Sequence, residues 1–149
     1  MSEFPVRFIR TDGGRSAAGY VGAAGDCVAR SIAVASGRSY QEVYDALSVG
    51  CRSQRLTRGR QRSASARNGV DTSRKWFKDY MRSLGFRWVP TMQVGQGCKV
   101  HLRAEELPSG RLVVAVSKHY VAVLNGIIHD TFDPSRNGTR CVYGYWALT

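Results

Sequence analysis

The dipeptide Asn125-Gly126, set between two apolar runs, constrains the fold more than any other feature of this sequence. Both residues accept the positive φ angles that a two-residue hairpin turn requires. The sequence therefore predicts an antiparallel hairpin in which Leu124 pairs with Ile127 and the outer pairs follow in step. A chain that contains such a hairpin is expected to fold around a sheet.

The register of this hairpin decides which polar side chains share a surface. Side chains alternate between the two faces of a strand, so His119 and Asp130 are expected on one face as diagonal neighbours. His129 is expected on the other face. A slip of the pairing by one residue would put His129 in the place of Asp130, so both stay candidates for the position beside His119.

Helical patterns precede the hairpin. Residues 27–36 carry apolar side chains at helical spacing, and Asp26 is a suitable N-cap for them. Ser39 is expected to cap a second helix, with Glu42 placed as in a capping box. This second helix is expected to end near Gly50.

A third helix is expected to start after a cap at Asp71 or Thr72 and to stop at Gly85. The remaining sequence is rich in β-formers, and FPVRFIR near the N-terminus adds a short strand. Helices followed by strands predict an α+β fold, with N-terminal helices packed on a C-terminal antiparallel sheet. We expect a single domain over residues 1–149, without internal repeats.

The composition is that of a basic, globular chain, with 43% hydrophobic residues, 22% charged residues and a net charge of +11. No apolar run is long enough for a membrane span, and the first residues lack the apolar core of a signal peptide. A cytoplasmic location is therefore expected. The excess of positive charge attracts polyanions in general, without naming one.

Much of the positive charge lies in residues 52–74, a polar segment with little periodicity. We expect a long basic loop there, either without a ligand or in contact with a polyanion such as nucleic acid. The segment lacks the interleaved aromatic residues that stack on single-stranded bases. The candidate anion-binding residues are Arg52, Arg55, Arg58, Arg60, Arg62 and Arg67.

The four cysteines are Cys27, Cys51, Cys98 and Cys141. None of them forms a CxxC pair, and only His101 follows a cysteine at ligand-like spacing, so neither a metal site nor any other cofactor is expected. An even count permits two disulfides. In the absence of a signal peptide, however, we expect four reduced thiols.

Cys27, His119 and Asp130 together have the chemistry of a thiol acyl-transfer site. Cys27 stands in the first turn of a predicted helix, where unpaired N–H groups and the helix dipole favour a thiolate. An imidazole such as His119 can hold that thiolate as an ion pair and protonate a leaving group. A carboxylate such as Asp130 fixes the orientation of the imidazole.

These residues lie in two segments, GDCVARSIAVASG and KHYVAVLNGIIHDTFD, which resemble the papain-like cysteine peptidase superfamily, particularly its small phage and bacterial members. The resemblance implies a papain-like fold with the cysteine at a helix start. It also implies that Cys27 is the nucleophile, His119 the general base and Asp130 the orienting residue. A phage origin, and hence a virion-associated location, rests on this resemblance alone.

Two branches of the superfamily compete. NlpC-type cell-wall hydrolases are similar in the helix start, in an upstream tyrosine, here Tyr20, and in the NGIIH segment. Ovarian-tumour-type deubiquitinases share a D-x-x-C-x-x-R helix start, matched here by Cys27 and Arg30, and a His-Tyr pair, matched here by His119-Tyr120. Their aspartate three residues before the cysteine is Ala24 in this chain, which argues against that branch.

Many papain-like enzymes place a glutamine before the cysteine to complete the oxyanion hole, and neither Gln nor Asn precedes Cys27. The candidate oxyanion donors are therefore the backbone N–H of Cys27 and the hydroxyl of Tyr20. Losing one such donor typically lowers the rate by ~100–1000-fold.

The sequence favours a cysteine hydrolase that cleaves a peptide, isopeptide or amide bond in a peptide, a protein or a cell-wall polymer. The alternative is an inactive papain-like module, either a virion structural protein that contacts other virion proteins or a nucleic-acid binder that uses its Arg-rich segment. A third interpretation, a redox role for Cys27, lacks a resolving cysteine nearby in sequence.

Overall fold

The structure is a computed structural model and describes residues 7–20, 26–53, 70–93 and 95–149. These residues form an α+β fold of three helices and a six-stranded mixed sheet, as the sequence predicts at the level of fold class. The helices are α1 (Cys27–Ser36), α2 (Tyr40–Ser53) and α3 (Lys75–Ser83). The strands are β1 (Phe8–Arg10), β2 (Phe86–Pro90), β3 (Arg111–Val116), β4 (His119–Leu124), β5 (Ile127–Asp130) and β6 (Val142–Leu148).

The strands are ordered β1-β5-β4-β3-β6-β2 across the sheet. Strands β5, β4, β3, β6 and β2 pair antiparallel with their neighbours, but β1 lies parallel to β5, with Phe8 opposite Ile128. The expectation of a purely antiparallel sheet is therefore wrong at this edge. The three helices and strands β2, β3 and β4 lie between β1 and β5 in the sequence. Such a long connection permits parallel pairing.

The hairpin formed by β4 and β5 has the predicted register. Leu124 pairs with Ile127, and the next pair outward follows in step. Asn125 and Gly126 have φ angles of 49° and 80°, the positive values that the two-residue turn needs. The prediction from the Asn-Gly dipeptide is confirmed.

The bounds of α1 match the prediction, whereas α2 is longer than expected. The backbone N–H of Glu42 donates to Oγ of Ser39 over 3.1 Å, so the predicted N-terminal cap of α2 is present. The helix continues past Gly50 to Ser53. A Cβ at Gly50 would lie 2.2 Å from Cε3 of Trp76, so this glycine permits close packing and does not end the helix.

The predicted cap of α3 is wrong, because neither Asp71 nor Thr72 adjoins the first helical residue, Lys75. The Asp71 carboxylate instead accepts hydrogen bonds from the backbone N–H of Ser73 and from Nε of Arg74, each over 3.1 Å. These bonds form a local turn before the helix. Gly85 follows the helix with a φ of 96°, in agreement with the predicted stop.

The sheet has an apolar core on each face. The helices cover one face with fully buried side chains such as Ile32, Leu47 and Phe77. The segment that precedes β3 covers the other face through Leu102 and Leu107. Helix α1 packs chiefly on β4, which brings the N-terminal end of the helix to the start of that strand.

Two of the four cysteines form a disulfide that the sequence analysis did not expect. Cys98 and Cys141 form a disulfide with a Cα–Cα distance of 5.8 Å, so the prediction of four reduced thiols is wrong for this pair. An isolated bridge between His101 and Cys141 brings the two segments together, a contact that the spacing of the cysteines does not reveal. Cys27 and Cys51 are free.

The predicted basic loop lies mostly outside the described residues. Of its six anion-binding candidates, only Arg52 is described, as an exposed residue in the last turn of α2. Within the described ranges, no helix combines the length and apolar character that a membrane span requires.

Candidate active site

Cys27 is the first residue of α1, so its backbone N–H has no acceptor within the helix. Its half-buried side chain lies beside His119 and the backbone of Tyr120, and both lower the pKa of the thiol. Burial raises the pKa of this thiol. The interactions with the His119 ring and the Tyr120 backbone, together with the positive charges of His119 and Arg30, outweigh burial, so that the pKa of Cys27 falls below its ordinary value of 9.0.

His119 is the first residue of β4, and its ring lies between a thiol and a carboxylate. Its Nε2 is 2.6 Å from Oδ2 of Asp130, and Cys27 is the second group that acts on the ring. Burial lowers the pKa of His119, but the hydrogen bonds and charges of Asp130 and Cys27 raise it to about 9. These shifts favour the thiolate–imidazolium form of the Cys27–His119 pair at neutral pH.

Asp130 ends β5 and is 4% exposed. Its Oδ1 accepts the backbone N–H of Thr131 over 2.7 Å and lies 3.5 Å from Nη2 of Arg30. Its other oxygen contacts His119. His129 pairs with Ala122 in the ladder between β4 and β5, on the opposite face. Asp130 and His129 were both candidates for the position beside His119, and the structure brings Asp130 there.

Asp26, the residue before Cys27, was expected to cap α1, and this prediction is wrong for its side chain, which makes no capping hydrogen bond. The carboxylate is 1% exposed and forms an ion pair with Arg30. It also accepts a hydrogen bond from the Tyr40 hydroxyl and lies 3.4 Å from Nε of Arg15. A buried carboxylate is strongly stabilised by such partners, which explains why the side chain turns inward.

Arg30 and the backbone of Tyr120 are parts of the site that the sequence analysis did not identify. Arg30 contacts both Asp26 and Asp130, and thereby links the helix that carries Cys27 to the strand that carries Asp130. Its spacing of four residues from Asp26 is a signal for an ion pair along one helix face. No sequence pattern points to the backbone N–H of Tyr120, because almost every residue carries a backbone N–H.

The structure places Tyr20 against α2. Its hydroxyl accepts a hydrogen bond from Nε2 of Gln41 over 2.8 Å, and its ring packs against Tyr40 and Tyr44 of α2. It is not among the described residues that line the cleft beside Cys27. Of the two oxyanion candidates, only the N–H of Cys27 lies at the site.

A cleft of about 910 Å³ opens beside Cys27 and His119. Residues of α3, β2 and β6 line it together with the turn between β3 and β4. Its exposed residues include Lys78, Arg82, Trp88, Lys118, Phe132 and Tyr143. The volume is in the range of small-ligand and peptide sites, so a substrate can reach the thiol.

Comparisons of the chain with protein-family models, with curated proteins and with solved structures give no match. In the described part of the chain, no group of three or more His, Cys, Asp or Glu side chains is arranged to hold a metal ion. The geometry of Cys27, His119 and Asp130 is therefore the main indication of what this protein does.

Proposed function

We propose that this protein is a papain-like cysteine hydrolase that cleaves a peptide, isopeptide or amide bond. The observation that carries the proposal is the arrangement of a thiol, an imidazole and a carboxylate where α1 and β4 begin. Cys27 and His119 line the same cleft, His119 lowers the pKa of the Cys27 thiol, and Nε2 of His119 lies 2.6 Å from Oδ2 of Asp130. The order Cys, His, Asp along the chain, with the cysteine at a helix start and the other two on neighbouring strands, supports the papain-like assignment.

In the first step, the Cys27 thiolate attacks the carbonyl carbon of the scissile bond. The negative charge that develops on the carbonyl oxygen is stabilised by the N–H of Cys27 and by the positive end of the α1 dipole. His119 then gives its proton to the leaving amine as the C–N bond breaks. A thioester between Cys27 and the acyl group remains.

In the second step, water attacks the thioester, and neutral His119 accepts a proton from it. The C–S bond breaks, the acid product leaves, and the thiolate–imidazolium pair is restored. Asp130 keeps the imidazole oriented throughout. Asp130 in turn is held by Arg30 and by the N–H of Thr131.

Cleavage of a diverse peptide mixture tests this proposal. Wild-type protein, Cys27→Ala and His119→Ala are incubated with the mixture, and new peptide termini are identified by mass spectrometry. We expect cleavage by the wild type and none by Cys27→Ala. We expect a loss of about 100-fold or more for His119→Ala. Cys51→Ala is the matched control, because Cys51 is a buried free cysteine outside the cleft.

Equal cleavage by the wild type and by Cys27→Ala would contradict the proposal, since it would place the activity elsewhere. The same holds if a peptide-based thiol-directed inhibitor, added to the native protein, fails to label Cys27 in preference to Cys51.

A nucleic-acid-binding or virion role for the Arg-rich segment remains an alternative derived from the sequence. Of its candidate residues only Arg52 is described, and no observation on the described residues favours this alternative. Retention on DNA that falls steeply with salt and survives Cys27→Ala would support it.

A further inference from the structure

Among the described residues, the cleft beside Cys27 is lined by positive side chains and by no negative ones. Its described lining residues include Arg30, Lys78, Arg82 and Lys118, and none of them is Asp or Glu. Charges of one sign in a cleft with low-dielectric walls focus the electrostatic field and attract ligands of opposite charge. The cleft therefore favours a ligand that carries negative groups.

Two of these four cations are already engaged within the protein. Arg30 contacts Asp26 and Asp130, and Arg82 shares the exposed carboxylate of Asp79 with a lysine of the same helix.

Lys78 on α3 and Lys118 in the turn before His119 differ from these two arginines in their contacts. Both are exposed, and neither forms an ion pair with any described residue. They lie on separate elements that meet at the cleft. Two lysines placed in this way are available to carboxylates on an incoming chain.

Aromatic side chains form the apolar part of the same cleft. Trp88, Phe132 and Tyr143 are 37%, 52% and 42% exposed, although most large apolar side chains of the described residues are buried. Trp88 is closely packed over β6, because a Cβ at Gly144 would lie 2.3 Å from its Cζ2. The ring of Phe132 is centred 5.3 Å from that of His119. Exposed aromatic surfaces thus line the same cleft as the thiol of Cys27.

We propose that the substrate is an acidic polypeptide segment that contains both Asp or Glu residues and apolar or aromatic ones. The proposal rests on the proposed function, because acyl chemistry at Cys27 selects a chain with carbonyl groups over a nucleic acid. Lys78 and Lys118 would bind the carboxylates, and Trp88, Phe132 and Tyr143 would bind the apolar side chains.

The first test measures the charge preference of the cleft without requiring hydrolysis. The rates at which Cys27 reacts with iodoacetate, an anion, and with neutral iodoacetamide are compared at low salt. We expect the rate with iodoacetate divided by the rate with iodoacetamide to fall about 5-fold in the Lys78→Gln/Lys118→Gln double variant. Lys99→Gln removes one positive charge, where the double variant removes two, at a residue outside the described lining of the cleft, and it should leave the ratio unchanged. An unchanged ratio in the double variant would overturn the proposal.

The second test uses two quenched fluorescent peptide pools with the same apolar residues, one containing Glu and the other Lys. We expect the Glu pool to be cleaved about 10-fold faster. The double variant should lose this preference, and Lys99→Gln should keep it. Equal or faster cleavage of the Lys pool by the wild type would overturn the proposal.

Binding to Cys27→Ala separates failure of this proposal from failure of the proposed function. If neither pool is cleaved, the hydrolase function fails, but tighter binding of the Glu pool, lost in the double variant, still supports an acidic peptide ligand. A single-stranded oligonucleotide that binds Cys27→Ala more tightly than the Glu pool and displaces it would overturn the proposal and assign the cleft to nucleic acid.

Discussion

Nη2 of Arg30 lies 3.5 Å from Oδ1 of Asp130, and a second nitrogen of the same guanidinium forms an ion pair with Asp26. Arg30 thus joins the helix that carries Cys27 to the strand that carries the carboxylate partner of His119. A fork-shaped guanidinium can serve two carboxylates at once, whereas a lysine amine cannot do so with the same geometry. We interpret Arg30 as a positioning residue of the site.

Replacing Arg30 tests this interpretation. Arg30→Met leaves the carboxylate of Asp26 buried without its main partner, and we expect the free energy of unfolding to fall by about 3–5 kcal/mol. Arg30→Lys keeps the charge, so a folded protein with impaired geometry is expected. In that variant the pH at which Cys27 becomes reactive should rise, as measured by alkylation. An Arg30→Lys variant with wild-type turnover and an unchanged alkylation profile would show that Arg30 acts only in stability.

Asp130→Asn should change the titration of His119. The pKa of His119 in the folded protein, about 9, lies above its ordinary value of 6.5. The charged ring therefore stabilises the fold fully below about pH 6.5, and this stabilisation is lost as the pH rises through about 9. Asp130→Asn removes a main cause of the raised pKa, so NMR titration of the ring should give a lower value than in the wild type.

The same variant should lose stability most clearly at about pH 6 and much less at about pH 10, where the ring is neutral in both proteins. Denaturant unfolding at these two pH values provides the measurement. A loss of stability that grows from pH 6 to pH 10 would contradict the His119–Asp130 pairing.

Gly50→Ala should destabilise the protein, although alanine normally favours a helix over glycine. The added Cβ would lie 2.2 Å from Cε3 of Trp76, so α2 and the start of α3 must move apart. We expect a loss of about 1–3 kcal/mol in the free energy of unfolding. The double variant Gly50→Ala/Trp76→Leu should be less destabilised than the sum of the single variants. Stabilisation by Gly50→Ala alone would contradict the packing described.

The disulfide between Cys98 and Cys141 should contribute to stability but not to the reactivity of Cys27. It spans 43 residues, and the constraint that it places on the unfolded chain corresponds to about 2–4 kcal/mol. The Cys98→Ser/Cys141→Ser variant should unfold at lower denaturant concentration, with the alkylation rate of Cys27 unchanged. A reductant should destabilise the wild type and not the variant. Equal sensitivity of both proteins to the reductant would argue against the disulfide.

Local signals in the sequence predicted those parts of the fold that depend on few residues. The Asn125-Gly126 turn determined the register of β4 and β5, and this register was sufficient to place His119 beside Asp130. The cap at Ser39 was predicted equally well, because a cap involves only adjacent residues.

Long-range packing overruled several other predictions. Gly50 does not end α2. The ring of Trp76, which is distant in sequence, packs directly against this glycine. Asp26 occupies the N-cap position of α1, but its side chain makes no capping hydrogen bond, because two arginines and a tyrosine offer its carboxylate buried partners. The pairing of Cys98 with Cys141 also depends on strand contacts that no local pattern encodes.

The most direct test of a catalytic thiol is the rate of Cys27 alkylation by iodoacetamide between pH 4 and pH 9, read by mass spectrometry for each free cysteine. Cys51 is an internal reference, because burial raises the pKa of its thiol. We predict that Cys27 reacts rapidly well below pH 8 and that His119→Ala shifts this reactivity to higher pH. If Cys27 instead titrates like an ordinary thiol near pH 9 in both proteins, no thiolate–imidazolium pair exists and the hydrolase account is contradicted.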